Sequence, residues 1–122
     1  MLQSNLFDIS LITQVVHYLG IKKPFDIKIK SKAHKWAAGF CEQHTRKGKI
    51  IKHVITIYLP VIVECNYSLE SVILHELIHA YQAEFDILEP GKYHNSTFQR
   101  TARELEKLFK ITGIYCEKSD VD

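Results

Sequence analysis

The sequence is poor in the residues that build disulfide-rich or repetitive proteins. Its 122 residues include three cysteines, three prolines and five glycines. Cys41, Cys65 and Cys116 are widely spaced and form no C-x-x-C pair, so they provide neither a disulfide framework nor a zinc ribbon. The low glycine and proline content excludes collagen-like and linker-dominated chains. This cysteine pattern favours a reducing interior, and we expect a cytoplasmic protein.

Long hydrophobic runs are also missing. The longest one, Val54 to Val63, is interrupted by Thr56, Tyr58 and Pro60, and it is much shorter than the roughly 20 apolar residues that a spanning helix needs. The N-terminal residues lack the basic segment of a signal peptide. We therefore expect no membrane partner. The composition, 46% apolar and 25% charged, is typical of one globular domain, which we expect to cover residues 1–122.

Hydrophobic periodicity predicts a helix followed by a strand in the first quarter of the chain. Apolar residues spaced three and four apart predict a helix over residues 5–19, which ends at Gly20. After Pro24 the period changes to two, which predicts a half-buried strand over residues 25–30 with lysines on its outer face.

Two further strands and two helices follow. The strands are predicted over residues 35–43 and 50–59, and the polar, glycine-containing segment 45–49 is typical of a hairpin turn. Pro60 then ends the pairing. Ser68 is the predicted N-cap of an apolar helix. The helices cover residues 69–85 and 96–110, and we expect the chain to fray from Thr112 to its end. This order predicts an α+β domain with a three-stranded antiparallel sheet.

A metal-binding motif lies inside the apolar helix, His75-Glu76-Leu77-Ile78-His79. Helical geometry places residues four apart on one face, so both imidazoles can reach one ion. Neutral imidazole nitrogens bind Zn²⁺ well, and Glu76 can take a proton from an attacking water. Two histidines and a carboxylate on an apolar helix are costly to desolvate unless they bind something. The alternative is a pair of hydrogen-bonded core histidines with Glu76 at the surface.

A catalytic zinc site needs a third protein ligand. The metzincin pattern is excluded, because Gln82 and Phe85 occupy the positions where it requires Gly and His. His94 is better placed, since it lies fifteen residues after His79, beyond a Pro-Gly loop and just before the last helix. An exposed loop histidine is the alternative. A thermolysin-like site would instead use a downstream glutamate, and the candidates are Glu84, Glu89 and Glu104.

These segments resemble the SprT-like zinc metallopeptidases, a family that includes the Spartan proteases. Members share H-E-x-x-H-A, an intervening loop and H-x-x-x-F at the start of the next helix, which here are His75–Ala80 and His94–Phe98. The segments Ala38–Cys41 and Ile55–Leu59 are similar to the family's sheet just upstream. The resemblance covers about residues 5–111, nearly the whole chain.

The resemblance implies a minimal zincin-like fold and a hydrolytic mechanism. It implies one Zn²⁺ held by His75, His79 and His94, with Glu76 as the general base that activates water for hydrolysis of a peptide bond. The third strand, residues 50–59, could pair with an extended protein or peptide substrate by strand addition. The candidates for stabilising the oxyanion are Tyr81, Tyr93 and Arg100, each of which could instead be a half-buried tyrosine or a solvated arginine.

Two features depart from the family pattern. Members often have Gly after the third histidine, where this chain has Asn95. Because Asn tolerates a left-handed backbone better than most residues, we expect the turn to be kept. Many members also carry a C-terminal zinc ribbon, whereas this sequence ends at Asp122 with Cys116 alone nearby. We therefore expect a bare protease core of bacterial or viral origin.

Basic charge is concentrated in the first half of the sequence. Residues 1–61 contain ten lysines and arginines and three acidic residues, whereas residues 62–122 contain six and eleven. Such asymmetry is typical of a polyanion-binding face, although a solvated, lysine-rich sheet edge would look the same. Basic residues among aromatic ones suit single-stranded nucleic acid. The candidate DNA contacts are Lys28, Lys30, Lys47 and Lys49, with His34 and Trp36 among them, although a tryptophan is more often a core residue than a stacking platform.

The sequence therefore predicts a zinc endopeptidase that acts on proteins bound or crosslinked to DNA. One alternative is a DNA-binding or regulatory module whose zinc site is structural or idle. Another is a zinc peptidase with a dedicated protein substrate unrelated to DNA. Glu76 argues against the idle site, because a purely structural metal site does not need it.

Overall fold

The computed structural model describes residues 8–32, 34 and 37–114. These residues contain four helices and a three-stranded sheet. The α+β class is confirmed. Lys35, Trp36 and Cys116 lie outside the described residues. The elements are, in chain order, α1 (Ile9–Leu19), β1 (Phe25–Lys30), β2 (Gly39–Arg46), β3 (Lys49–Tyr58), α2 (Leu59–Glu64), α3 (Leu69–Glu84) and α4 (Ser96–Phe109).

The sheet is mixed, so the expectation of a purely antiparallel sheet is wrong. Its strand order is β1-β3-β2, with β1 parallel and β2 antiparallel to the central β3. The connection between β1 and β2 joins the two edges of the sheet near the end of β3, where Lys30 pairs with Tyr58 and Gly39 pairs with Ile57, and the hairpin then returns β3 to the middle. That connection is long enough to cross two interstrand spacings of about 4.8 Å. Alternating hydrophobicity gives the faces of a strand but not its direction.

The β2–β3 hairpin is longer and tighter than the sequence predicts. Strand β2 extends to Arg46, which pairs with Lys49. Lys47 and Gly48 alone form the turn, and both have positive φ, 53° and 77°. Two successive positive φ angles match the twist of a two-residue hairpin turn, and glycine adopts them without steric cost.

Helix α2 is absent from the sequence prediction, which assigns Pro60 only as the end of a strand. In the structure Pro60 occupies the first turn of α2, where its missing N–H is not needed for an intrahelical hydrogen bond. The helix has six residues, too few for hydrophobic periodicity to reveal it.

Side-chain caps fix where the three longer helices begin. Asp8 accepts from the Leu11 N–H at 3.1 Å, which places the start of α1 later than residue 5. Ser68 caps α3, as predicted, by accepting from the Ser71 N–H. Asn95 caps α4 with an extended backbone (φ −74°, ψ −174°). The expected left-handed turn at Asn95 is therefore wrong, because its side chain is used as a helix cap instead.

The core lies between the inner face of the sheet and the helices, with α3 at its centre. Helix α3 packs against β2, β3, α1 and α4, which explains why it is apolar on most sides. The core continues to Ile114, which is fully buried. The fraying predicted from Thr112 is thus wrong for residues 112–114, and residues 115–122 lie outside the described part. No helix in the described part of the chain is long and apolar enough to cross a membrane.

Candidate metal centre

Three histidine side chains converge at the junction of α3 and α4. The nitrogens with which His75, His79 and His94 could hold a metal ion all lie within 4.8 Å of one another. Nε2 of His75 and Nε2 of His94 are 3.0 Å apart. The structure thus brings His94 beside the two histidines of the helix, and the three form a cluster that can hold a metal ion.

The glutamates considered as alternative third ligands have other partners. Glu84 lies 2.8 Å from Nε2 of the buried His53. Glu89 accepts a hydrogen bond from Nδ2 of Asn95, and Glu104 accepts one from the Tyr18 hydroxyl on the surface.

Phe98 forms the floor beneath the three histidines. Its ring centroid lies 4.7 Å from that of His75 and 4.8 Å from those of His79 and His94. Phe98 is fully buried and follows His94 by one helical turn. The aromatic residue of the H-x-x-x-F segment therefore closes the inner side of the cluster, so a bound ion would be approached from the opposite side.

The tautomers of the two helical histidines suit metal binding. Nδ1 of His75 donates to the Ile114 carbonyl at 3.1 Å, and Nδ1 of His79 donates to Oε1 of Gln82 at 2.8 Å. With the proton on Nδ1, Nε2 of each ring is the nitrogen whose electron pair can bind a metal ion. Burial, and next the nearby His79, lowers the pKa of His75 to about 3. Neutral imidazoles with one nitrogen fixed by an acceptor are the usual zinc donors, so these residues fit the ion.

Glu76 points from α3 toward the beginning of β2. Its side chain is 6% exposed, and its Oε2 lies close to Gly39. Burial raises the pKa of Glu76 to about 8. Burial, and next Glu76, raises the pKa of the neighbouring Cys41 thiol to about 12. A divalent cation on the adjacent histidines would favour the carboxylate form of Glu76, because an opposite charge stabilises the ionised group.

The three oxyanion candidates occupy different surroundings. Tyr93 is next to the histidine cluster, with its ring centroid 6.5 Å from that of His79 and the two rings nearly perpendicular; its side chain is 44% exposed. Tyr81 packs against Phe85 and the hydrophobic core. Arg100 is exposed on α4. Tyr93 is therefore the candidate whose position the structure favours.

The four candidate DNA-binding lysines form two pairs at opposite ends of the sheet. Lys28 and Lys30 lie on the outer, exposed face of β1, level with Thr56 and Tyr58 of β3. Lys47 and Lys49 lie at the β2–β3 turn. Lys49 and Thr56 are seven residue steps apart along β3, a distance of about 23 Å.

A cluster of rings lies beside the first lysine pair. Phe40 is opposite Thr56 in the sheet and thus on the same outer face as Lys28. The His34 ring centroid lies 4.7 Å from that of Phe40 and 4.8 Å from that of Tyr58. Phe40 is 43% exposed. We call His34, Phe40 and Tyr58 the outer-face rings.

Sequence reasoning misses the residues that support the three histidines. Gln82, which follows His79 by three positions on the same helical face, is a fully buried polar residue. That spacing in an apolar helix is a signal that could have identified it. The Ile114 carbonyl and the space at Gly39 carry no such signal, because both depend on tertiary packing.

Comparison with known proteins agrees with the geometry. A search of curated proteins finds no significant match. The family model described as "SprT-like family" matches residues 12–118, which include all three clustered histidines and nearly the whole chain. This membership is compatible with a metallopeptidase-like role and with metal binding. The chain belongs to the SprT-like family.

Proposed function

We propose that this protein is a zinc-dependent endopeptidase. The observation that carries the proposal is the convergence of His75, His79 and His94. The buried Glu76 directly follows the first of these histidines in α3. Three imidazole ligands would leave a position for water or substrate at a zinc ion, as catalytic rather than structural zinc sites do.

Each residue has a role in the proposed reaction. When bound, zinc would act as a Lewis acid that polarises the scissile carbonyl and makes water more acidic. Glu76 takes the proton of the attacking water and delivers it to the leaving amine. Tyr93, whose ring lies 6.5 Å from that of His79, donates a hydrogen bond from its hydroxyl to the developing oxyanion. Phe98 excludes water from the inner side of the three histidines.

The substrate strand is proposed to bind along β2. The sequence suggests β3, but β3 has neighbours on both sides and cannot accept another strand. Strand β2 is at an edge, and its first residue, Gly39, lies against Glu76. An extended peptide that pairs with β2 through backbone hydrogen bonds would pass the general base with weak side-chain specificity.

Nucleic acid is a proposed partner through one part of the basic surface. The outer-face rings lie beside Lys28 and Lys30, and exposed rings next to cations suit the stacking of bases and the binding of phosphates. Substrates bound or crosslinked to DNA would then be held near the peptidase site, because Phe40 and Gly39 are consecutive residues of β2.

An intracellular location is proposed from the cysteines. Cys41 and Cys65 are free thiols, and Cys65 is exposed. Exposed free thiols persist best in a reducing compartment, which agrees with the cytoplasmic expectation.

The test is hydrolysis of a denatured protein substrate by the zinc-loaded wild type and by Glu76→Gln. The amide is similar in shape to the carboxylate but does not accept the water's proton. We expect zinc content to be unchanged and the rate to fall on the order of 10²-fold or more. Removal of zinc with a chelator should abolish wild-type activity. Equal rates for the two proteins would contradict the role of Glu76, and an inert wild type with zinc bound would favour a structural or idle metal site.

A further inference from the structure

Gln82 connects the helix that carries two of the histidines to the loop that carries the third. It is fully buried in the last part of α3. Its Oε1 accepts from Nδ1 of His79 at 2.8 Å. Its Nε2 donates to the Tyr93 carbonyl and to Oδ1 of Asn95, both at 3.2 Å. One side chain therefore contacts a histidine of the cluster and both residues that flank His94.

The orientation of the Gln82 amide follows from its partners. The Tyr93 carbonyl can only accept, so the Gln82 atom facing it must be the NH₂ group. Oδ1 of Asn95 already accepts from the Phe98 N–H at 3.0 Å. The remaining Gln82 atom, Oε1, can only accept, so the proton between it and His79 belongs to Nδ1 of the histidine. Gln82 thus fixes which nitrogen of His79 carries the proton.

Asn95 connects Gln82 to Glu89, which is exposed at the surface. The Nδ2 of Asn95 donates to the Glu89 carboxylate at 2.7 Å. Because a carboxylate can only accept, the Asn95 amide nitrogen must face Glu89 and its Oδ1 must face inward. Asn95 is 4% exposed. The amide groups of Gln82 and Asn95 all have hydrogen-bond partners. Removing one amide would leave its partners unpaired in a buried site, where an unmade hydrogen bond is costly.

We propose that Gln82 is a positioning residue that holds the His94 loop against α3 and sets the tautomer of His79, so that three histidines rather than two can hold the ion. It acts through His79, Tyr93 and Asn95 and contacts neither substrate nor ion. The inference rests on the metal binding of the proposed function, but it does not depend on peptide hydrolysis.

The test uses three variants of the full chain. Gln82→Met is similar in volume and removes all three hydrogen bonds. Asn95→Ser keeps an oxygen that can cap α4 but removes the donor to Glu89 and shortens the reach to Gln82. Gln14→Met is the matched control, because it makes the same substitution at an exposed position of α1, where the Gln14 side chain donates to the Ser10 hydroxyl at 3.2 Å.

Two measurements decide the matter. Zinc affinity, measured by competition with a chromophoric chelator, should fall about 10- to 100-fold in Gln82→Met, fall less in Asn95→Ser and remain near wild type in Gln14→Met. Long-range ¹H–¹⁵N NMR of the metal-free protein should show His79 protonated on Nδ1 in the wild type, in Asn95→Ser and in Gln14→Met. In Gln82→Met the Nδ1 tautomer should lose its dominance, which a merely structural role would not cause.

Wild-type zinc affinity together with the Nδ1 tautomer in Gln82→Met would overturn the proposal. If Gln82→Met does not fold, unchanged zinc affinity in Asn95→Ser would overturn it instead. A wild type that binds no zinc would contradict the proposed function, whereas the NMR result on the metal-free protein would still decide how Gln82 acts on His79.

Discussion

Gly39 lies directly against Glu76, so the residue at the beginning of the edge strand determines the space for the buried carboxylate. A Cβ atom at Gly39 would lie 3.4 Å from Oε2 of Glu76, 3.0 Å from Cδ1 of Ile57 and 3.1 Å from the Thr56 carbonyl. The carbonyl belongs to the central strand and cannot move without disturbing the sheet. Close approach of α3 to β2 therefore requires glycine at this position.

The first prediction concerns Gly39→Ala. The added methyl group should displace Glu76 or the start of β2, at a cost of about 1–3 kcal/mol in the free energy of unfolding. We expect kcat for peptide hydrolysis to fall on the order of 10-fold or more, since small displacements of a catalytic group are costly. Zinc content should stay the same, because the three atoms nearest to the added methyl group belong to Ile57, Thr56 and Glu76 and not to a histidine. Steady-state kinetics and elemental analysis measure both quantities.

Phe40→Ala is the control for that substitution. Phe40 is the next residue of β2, but its side chain lies on the outer face of the sheet and away from Glu76. We expect kcat on a peptide to be unchanged when no DNA is present. A loss of kcat in Phe40→Ala as large as that in Gly39→Ala would show that general damage to β2, rather than the contact with Glu76, causes the effect.

A second prediction concerns Ile114, which links the end of the described chain to the metal centre. Its side chain is fully buried, and its carbonyl accepts from His75. Ile114→Ala should lower the free energy of unfolding by about 2–5 kcal/mol, because it leaves a cavity in the core. Leu108→Ala, at a position 55% exposed, should have little effect. Denaturant unfolding of the two variants checks the difference, and equal stabilities would contradict the packing assigned to Ile114.

Much of the site is predictable because its chemistry depends on local spacing. His75 and His79 share a helical face in any α-helix, so the motif predicts their proximity without knowledge of the fold. His94 is placed by a weaker argument, the return of the chain before the next helix. The Glu76–Gly39 contact and the hydrogen bond from His75 to Ile114 join residues far apart in sequence, and no periodicity encodes them.

The sheet shows where sequence reasoning stops. The alternation of Phe25, Ile27 and Ile29 correctly gives the inner face of β1, because burial alone decides it. Strand order and direction depend instead on pairing between segments far apart in sequence, which places β3 between β1 and β2. The sequence analysis assigns the substrate to β3, as if that strand were at an edge. In the structure β3 is central and β2 is at an edge, so the proposed substrate strand moves to β2.

A third prediction concerns acid stability through Glu84. Burial alone would raise the pKa of this carboxyl, but hydrogen bonds from His53 and from the backbone of Lys22 and Lys23 together hold its pKa below the ordinary value of 4.5. A lowered pKa in the folded state contributes stability above pH 4.5, and this contribution is lost as the pH falls through the folded value. Glu84→Gln should therefore be less stable than wild type at pH 7, and the difference should shrink toward acid pH.

Unfolding by denaturant at several pH values between about 7 and 3 measures this difference. The exposed Glu64→Gln in α2 serves as a control that removes the same charge and should match the wild type throughout. A constant difference between wild type and Glu84→Gln over the whole pH range would mean that the charge of Glu84 is not what stabilises its contacts.

The last prediction separates the two lysine pairs. Both Lys28→Ser/Lys30→Ser and Lys47→Ser/Lys49→Ser remove two positive charges, so they change the net charge of the protein equally. The first pair lies beside the outer-face rings, whereas the second lies about 23 Å away along β3. Between the pairs, the outer face carries Asp26 and Glu42, which stand level with Val54 in the sheet. Asp26 is paired with Lys52 at 2.8 Å, so the Glu42 carboxylate is the charge that would repel a continuous phosphate backbone.

Binding of a fluorescent single-stranded oligonucleotide, followed by anisotropy at two salt concentrations, distinguishes the pairs. Each phosphate contact contributes about −0.7 to the logarithmic salt slope, so Lys28→Ser/Lys30→Ser should flatten the slope by about 1.4 and weaken any stimulation of proteolysis by DNA. Lys47→Ser/Lys49→Ser should leave both nearly unchanged. Equal losses in the two variants would indicate attraction by net charge alone. No measurable binding by the wild type at about 0.15 M salt would mean that the lysines serve only to solvate the sheet.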